Sequence, residues 1–177
     1  MADHQVEDSQ LLKAASLELE SYLRSKVLFW RIGGLSLPLT PGNLLLAMKR
    51  DQGFSPGMHI EIHDNLERII NQTRGNWQQK IHEEIAARIT QWENLLKDFE
   101  EDAFFPAQYT AHVRTRAILT LCFAESTFPD QPLENRLQFL DDRLRLLVRP
   151  GAFIWETLLE REFPVQEYWY LYANLKG

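Results

Sequence analysis

The chain has 177 residues, of which 45% are hydrophobic, 11% aromatic and 25% charged, the usage of an ordinary globular domain with enough apolar side chain to build a core and too much to stay disordered. Its 25 acids outnumber its 19 Lys and Arg for a formal charge of −6, so a polyanion such as nucleic acid is repelled overall and is not an expected partner. The start from Met1 to Leu12 is polar and acidic, no later segment is apolar for long enough to span a bilayer, and Cys122 is the only cysteine; the expectation is a cytoplasmic chain without signal peptide, membrane contact or disulfide.

Helix signals run through nearly the whole chain. Leu12, Ala15, Leu19, Leu23, Val27 and Trp30 fall at steps of three and four and predict a first helix from Asp8 or Ser9 to about Arg31, stopped by Gly33 and Gly34. Leu35, Leu37 and Leu39 alternate with Ser36, Pro38 and Thr40, which reads as an extended connector with no obvious strand partner. Thr40-Pro41 has the form of an N-cap and first helical position for a short helix ending before Gly53. Ser55-Pro56 repeats the device for a helix to Arg74, with Gly75 as its stop.

A long helix from Asn76 to Glu101 follows, with Ile81, Ile85, Ile89, Trp92, Leu96 and Phe99 as its apolar stripe and Glu83, Glu84, Arg88, Glu93 and Lys97 assigned to the remaining faces. The segment from about Pro106 to Ser126 differs, because Ala117 to Ala124 is apolar on every side except Thr120; such a helix belongs in the middle of a fold. After the turn Phe128-Pro129-Asp130-Gln131-Pro132, the leucines at 133, 137, 140, 144 and 147 predict one more amphipathic helix up to Pro150-Gly151. A short helix from Ala152 to Arg161, a break at Pro164 and a last helix carrying Tyr168, Trp169, Tyr170 and Tyr172 complete the expectation. The sum is an all-α, single-domain bundle over residues 1–177, of six to eight mostly antiparallel helices around a buried central one at about 106–126.

Candidate chemistry is sparse. His59-Ile60-Glu61-Ile62-His63 puts two imidazoles one turn apart on one helix face, a spacing that can chelate a transition metal, and His82 or His112 would supply a third ligand. Glu61 is two residues after the first histidine and projects to the opposite face, so the metalloprotease pattern fails. There is no Glu-x-x-His pair for a di-iron site, no phosphate-binding glycine loop after Gly33-Gly34, and no nucleophile elbow at Ser36. The short helices around residues 51–55 could form a helix-turn-helix, but the second opens with Pro56, Gly57, Met58 and His59 rather than with base-reading side chains. Cys122 lies between Leu121 and Phe123 and reads as a packed thiol.

His112 and Arg116 are one turn apart on the apolar central helix and are the candidate ligand-binding pair. A buried guanidinium needs an acid, with Asp64, Glu67 or Asp142 as candidates, or else an anionic ligand. Tyr168, Trp169, Tyr170 and Tyr172 cannot all face inward from one helix and are the candidate subunit interface. The expected function is a non-catalytic helical binding or interaction module, homodimeric through this segment or contacting another protein, with no cofactor. The alternative is a metal-dependent enzyme built on His59, His63, His82 and His112.

Overall fold

The structure is a computed structural model that describes residues 2–101 and 106–176. Among these residues there are seven α-helices: α1 (Ala2–Arg24), α2 (Pro41–Phe54), α3 (Ile60–Gln72), α4 (Arg74–Glu100), α5 (Pro106–His112), α6 (Arg114–Glu125) and α7 (Gln131–Leu147). One small antiparallel ribbon pairs β1 (Val148–Pro150) with β2 (Ala173–Leu175), in the register Val148 with Leu175 and Pro150 with Ala173. No helix among the described residues is long and apolar enough to cross a membrane.

The helix starts follow the sequence where a side chain can cap them. Thr40 is the N-cap of α2, its Oγ1 accepting from the Asn43 amide at 3.1 Å with Pro41 just behind it, and Asp130 caps α7 by accepting from the Leu133 amide at 3.0 Å. The stops depend more on tertiary contacts. α1 ends at Arg24 rather than near Arg31, because Tyr22 donates its hydroxyl to the Leu28 carbonyl at 2.9 Å and Trp30 exchanges backbone hydrogen bonds with Leu39 at 3.1 and 2.8 Å. That bridge gives the Leu35–Leu39 connector the partner its sequence did not reveal. The break between α3 and α4 falls at Thr73, whose Oγ1 donates to the Ile69 carbonyl at 2.7 Å, and Gly75 lies inside the first turn of α4.

The central segment is two helices, α5 and α6, separated by a turn at Val113. α6 packs against α2 and α4, burying Thr115, Arg116, Ala117, Ile118, Leu119 and Cys122 while Leu121 and Phe123 remain partly exposed. It runs antiparallel to α4, with Glu125 accepting from Arg74 at 2.7 Å and from the Trp77 indole at 2.9 Å. It also crosses antiparallel to α7, where Arg116 meets Asp141. α4 and α7 consequently run parallel, tied on the surface by Arg136 to Glu93 and Arg143 to Glu100. The α4 stripe of Ile81, Ile85, Ile89, Trp92, Leu96 and Phe99 is buried throughout.

Two expectations need correction. Glu84 and Arg88 belong to the buried side of α4, with 0% and 6% exposure, because they stand three and seven residues after Ile81 and therefore on the same stripe. After α7 no α-helix forms among the described residues. Pro150, Gly151 and Pro164 interrupt the chain, and the aromatic side chains spread in several directions from extended backbone and two 3₁₀ turns, Thr157–Leu159 and Trp169–Tyr172.

Candidate functional site

The histidine pattern folds into a clasp. Asp51 on α2 is buried and accepts from His59 Nδ1 at 2.8 Å through one oxygen and from His63 Nε2 at 2.9 Å through the other. An ionised carboxylate only accepts, so both facing nitrogens carry protons and neither lone pair points at a shared centre. His82 is exposed beside Asp130, 3.7 Å away, and His112 packs edge-on to Phe99. Among the described residues no group of three or more His, Cys, Asp or Glu side chains is arranged to hold a metal.

Arg116 lines a cleft of about 390 Å³ with Thr120, Phe123, Leu137, Gln138 and Asp141. Its guanidinium is already engaged: Nε and Nη2 donate to the two oxygens of Asp141 at 2.7 and 2.8 Å, and Nη1 donates to Thr120 Oγ1 at 2.7 Å. The plane also lies 4.7 Å from the centre of the Tyr170 ring. Burial alone would lower the ionisation of this group, but the fork to Asp141 and the neighbouring charges hold it above the ordinary arginine value. Its acid is thus Asp141; Asp142, the next residue, is exposed. His112 is not among the residues lining this cleft.

The four candidate interface aromatics divide into two pairs. Tyr168 and Tyr170 are 2% and 0% exposed and belong to the core, Tyr168 meeting Phe163 edge to face at 4.9 Å and Tyr170 accepting at its carbonyl from the Tyr109 hydroxyl at 2.8 Å. Trp169 and Tyr172 stay partly exposed and, with Val148, Pro150, Val165, Ala173 and Arg145, line a groove of about 370 Å³. Arg145 lies 4.0 Å over the Trp169 ring, a cation–π contact. Its guanidinium has no carboxylate or hydrogen-bond acceptor among the described residues.

The densest polar assembly was not singled out by the sequence. Glu84 on α4 accepts from Thr40 Oγ1 at 2.7 Å, the Gly42 amide at 2.6 Å and Arg88 Nε at 3.1 Å. Asn43 on α2 then joins two arginines, its Oδ1 accepting from Arg88 Nη2 at 3.2 Å and from Arg114 Nη2 at 2.9 Å. Arg50, at the far end of α2, donates to Asp8 on α1 at 2.6 Å, with both side chains 3% exposed. Gly42 is required for the close approach: a Cβ there would stand 2.3 Å from the Ile118 side chain and 2.8 Å from Glu84 Oε1. The available signal was spacing, since Glu84 and Arg88 fall on an apolar stripe where unpaired charge is not tolerated. Comparison with protein-family models, curated proteins and solved structures finds no match to this chain.

Proposed function

We propose that the chain is a non-catalytic binding module that works as a homodimer, with the groove around Trp169 and Tyr172 as its contact surface. The observation that carries this reading is a cation with no carboxylate partner beside two partly exposed aromatics in one groove. Arg145 is a cation without an acid in the groove, and Glu167, which lines the cleft around Arg116 and stands two residues before Trp169, is an acid without a cation among the described residues. A twofold contact uses the same patch from both copies and needs such pairs. It would set Arg145 against Glu167 of the partner subunit and close Trp169 and Tyr172 between them, in the aromatic and arginine-rich composition of interface cores.

Phe139 and Leu146, 61% and 75% exposed, are seven residues apart on α7 and share a face roughly 100° around the helix from Arg145, so they add exposed apolar area outside the groove. The rival reading, a histidine-ligated metal enzyme, rests on the His59–His63 pair, whose imidazoles are both turned to Asp51. A reducing, cytoplasmic setting fits the single buried thiol of Cys122.

The test is sedimentation across a concentration series. The wild-type chain is expected to be a dimer, Arg145→Glu a monomer with an unchanged circular dichroism spectrum, and Arg145→Glu with Glu167→Arg a dimer again. A wild-type chain that stays monomeric at every concentration overturns the reading. Truncation before Pro164 is unsuitable, because it removes Tyr168, Tyr170 and Leu171 from the core.

A further inference from the structure

The groove beside Trp169 is fixed by the fold before anything enters it. Pro150 of β1 and Ala173 of β2 pair across the ribbon and, with Val148 and Val165, give it an aliphatic lining. Trp169 packs edge-on to the buried Tyr170, ring centres 5.8 Å apart, and Tyr172 packs against Phe153 at 5.1 Å. Polar atoms of these walls are engaged elsewhere: the Tyr172 hydroxyl donates to the Phe163 carbonyl at 2.9 Å, the Tyr172 carbonyl accepts from the Gly151 amide at 2.8 Å, and the Val148 amide donates to the Leu144 carbonyl. What remains is a mostly apolar concave space of about 370 Å³.

One charged group lines that space. The Arg145 guanidinium lies 4.0 Å over the centre of the Trp169 ring, a contact that engages its face and leaves the N–H donors in its plane. The acids around it are committed elsewhere or lie outside the groove. Asp141, one turn earlier on α7, has both oxygens on Arg116, Asp142 accepts from Gln138 at 3.1 Å, and Glu167 lines the cleft around Arg116. Stacking on Trp169 also restricts the Arg145 side chain, so an anion bound there orders it less than it would a free arginine.

We propose that this groove binds a small amphipathic carboxylate, its oxygens on the Arg145 fork and its apolar body against Trp169, Val148, Pro150 and Ala173. The lining selects that chemistry. A guanidinium matches a carboxylate with two parallel hydrogen bonds, and the volume falls at the lower end of the roughly 300–1,000 Å³ of small-molecule sites. A ligand with further charges or several hydroxyls would strand them against walls that offer no partner, which sets aside nucleotides and sugars, and a cationic amphiphile would meet Arg145 as a like charge. The proposal goes beyond the dimer and does not rest on it, because one copy of the chain holds every group the ligand touches. Only Arg145 is common to both.

Titration of the isotope-labelled full chain at neutral pH with hexanoate, hexanol and hexylamine, which share one alkyl chain and differ in the end group, tests it by nuclear magnetic resonance. The readout is the indole N–H signal of Trp169, one of five tryptophans, identified by its loss in Trp169→Phe. Hexanoate is expected to move this signal saturably, with half-saturation about tenfold below that of hexanol, and hexylamine should bind more weakly than either. Arg145→Met should reduce hexanoate to the level of hexanol and leave hexanol unchanged; Arg145 is exposed, so the variant keeps the fold. Arg145→Lys, which retains the charge but not the fork, should keep part of the preference. Glu167→Gln removes the acid of the dimer contact and should bind hexanoate at least as tightly as wild type, so a failure of the dimer reading leaves this result standing. Hexanoate binding no tighter than hexanol, a preference that survives in Arg145→Met, a loss of binding in Glu167→Gln, or a Trp169 signal that stays still while other indoles move overturns the proposal.

Discussion

Glu84→Gln probes the assembly at its most constrained point. The carboxylate is 0% exposed and receives three hydrogen bonds, from Thr40, Gly42 and Arg88. Glutamine has nearly the same size but one acceptor oxygen. Its amide nitrogen must face either the Gly42 amide or the Thr40 and Arg88 donors, and Arg88 loses its counter-charge. Removing one partner of a buried ion pair costs about 3–5 kcal/mol, and a single charged hydrogen bond contributes about 1.5–3 kcal/mol. We therefore expect a loss of about 4 kcal/mol, a large share of the roughly 5–15 kcal/mol of a typical domain. With a urea dependence of about 2 kcal/mol/M, the unfolding midpoint should fall by about 2 M with its slope unchanged. Adding Arg88→Met to Glu84→Leu should cost less than the sum of the two changes, because the pair is then removed together. A midpoint shift for Glu84→Gln below about 0.5 M, or under ~1 kcal/mol, would refute the view that this carboxylate locks α2 to α4.

Two further expectations follow from ionisation. Cys122 is 0% exposed, and burial followed by the charge of Glu84 pushes its thiol well up; native protein should not react with thiol reagents until it unfolds, and labelling faster than global unfolding would contradict this. Glu93 and Glu100 are held below the usual carboxylate range, first by hydrogen bonds from Arg136 and Arg143. A folded value below the unfolded one means that the stabilisation is present above the unfolded value, about 4.3, and is lost as pH falls through the lowered folded values. The double variant Glu93→Gln, Glu100→Gln should thus be destabilised near neutrality and converge on wild type in acid; parallel curves would show that these surface pairs contribute nothing.

The sequence by itself determined the helices whose signals are local. Thr40-Pro41 and Asp130 place the starts of α2 and α7 because a cap is made by one side chain and the amide three residues on. The α4 stripe is legible because burial repeats with the helix period. The all-α class follows from these signals together.

Tertiary structure decided what depends on residues distant in the chain. The end of α1 is set by the bridge between Trp30 and Leu39, and the partner of Arg116 is Asp141 because two antiparallel helices meet at that height. The same holds for the aromatic tail, where Tyr168 and Tyr170 turn inward and Trp169 and Tyr172 outward only once β2 is paired with β1. The charged assembly was the least legible, for the same reason. Asp8, Asn43, Arg50, Glu84, Arg88 and Arg114 come from four helices, and no local pattern records that these side chains have been brought into one low-dielectric space, where each charge needs its partner.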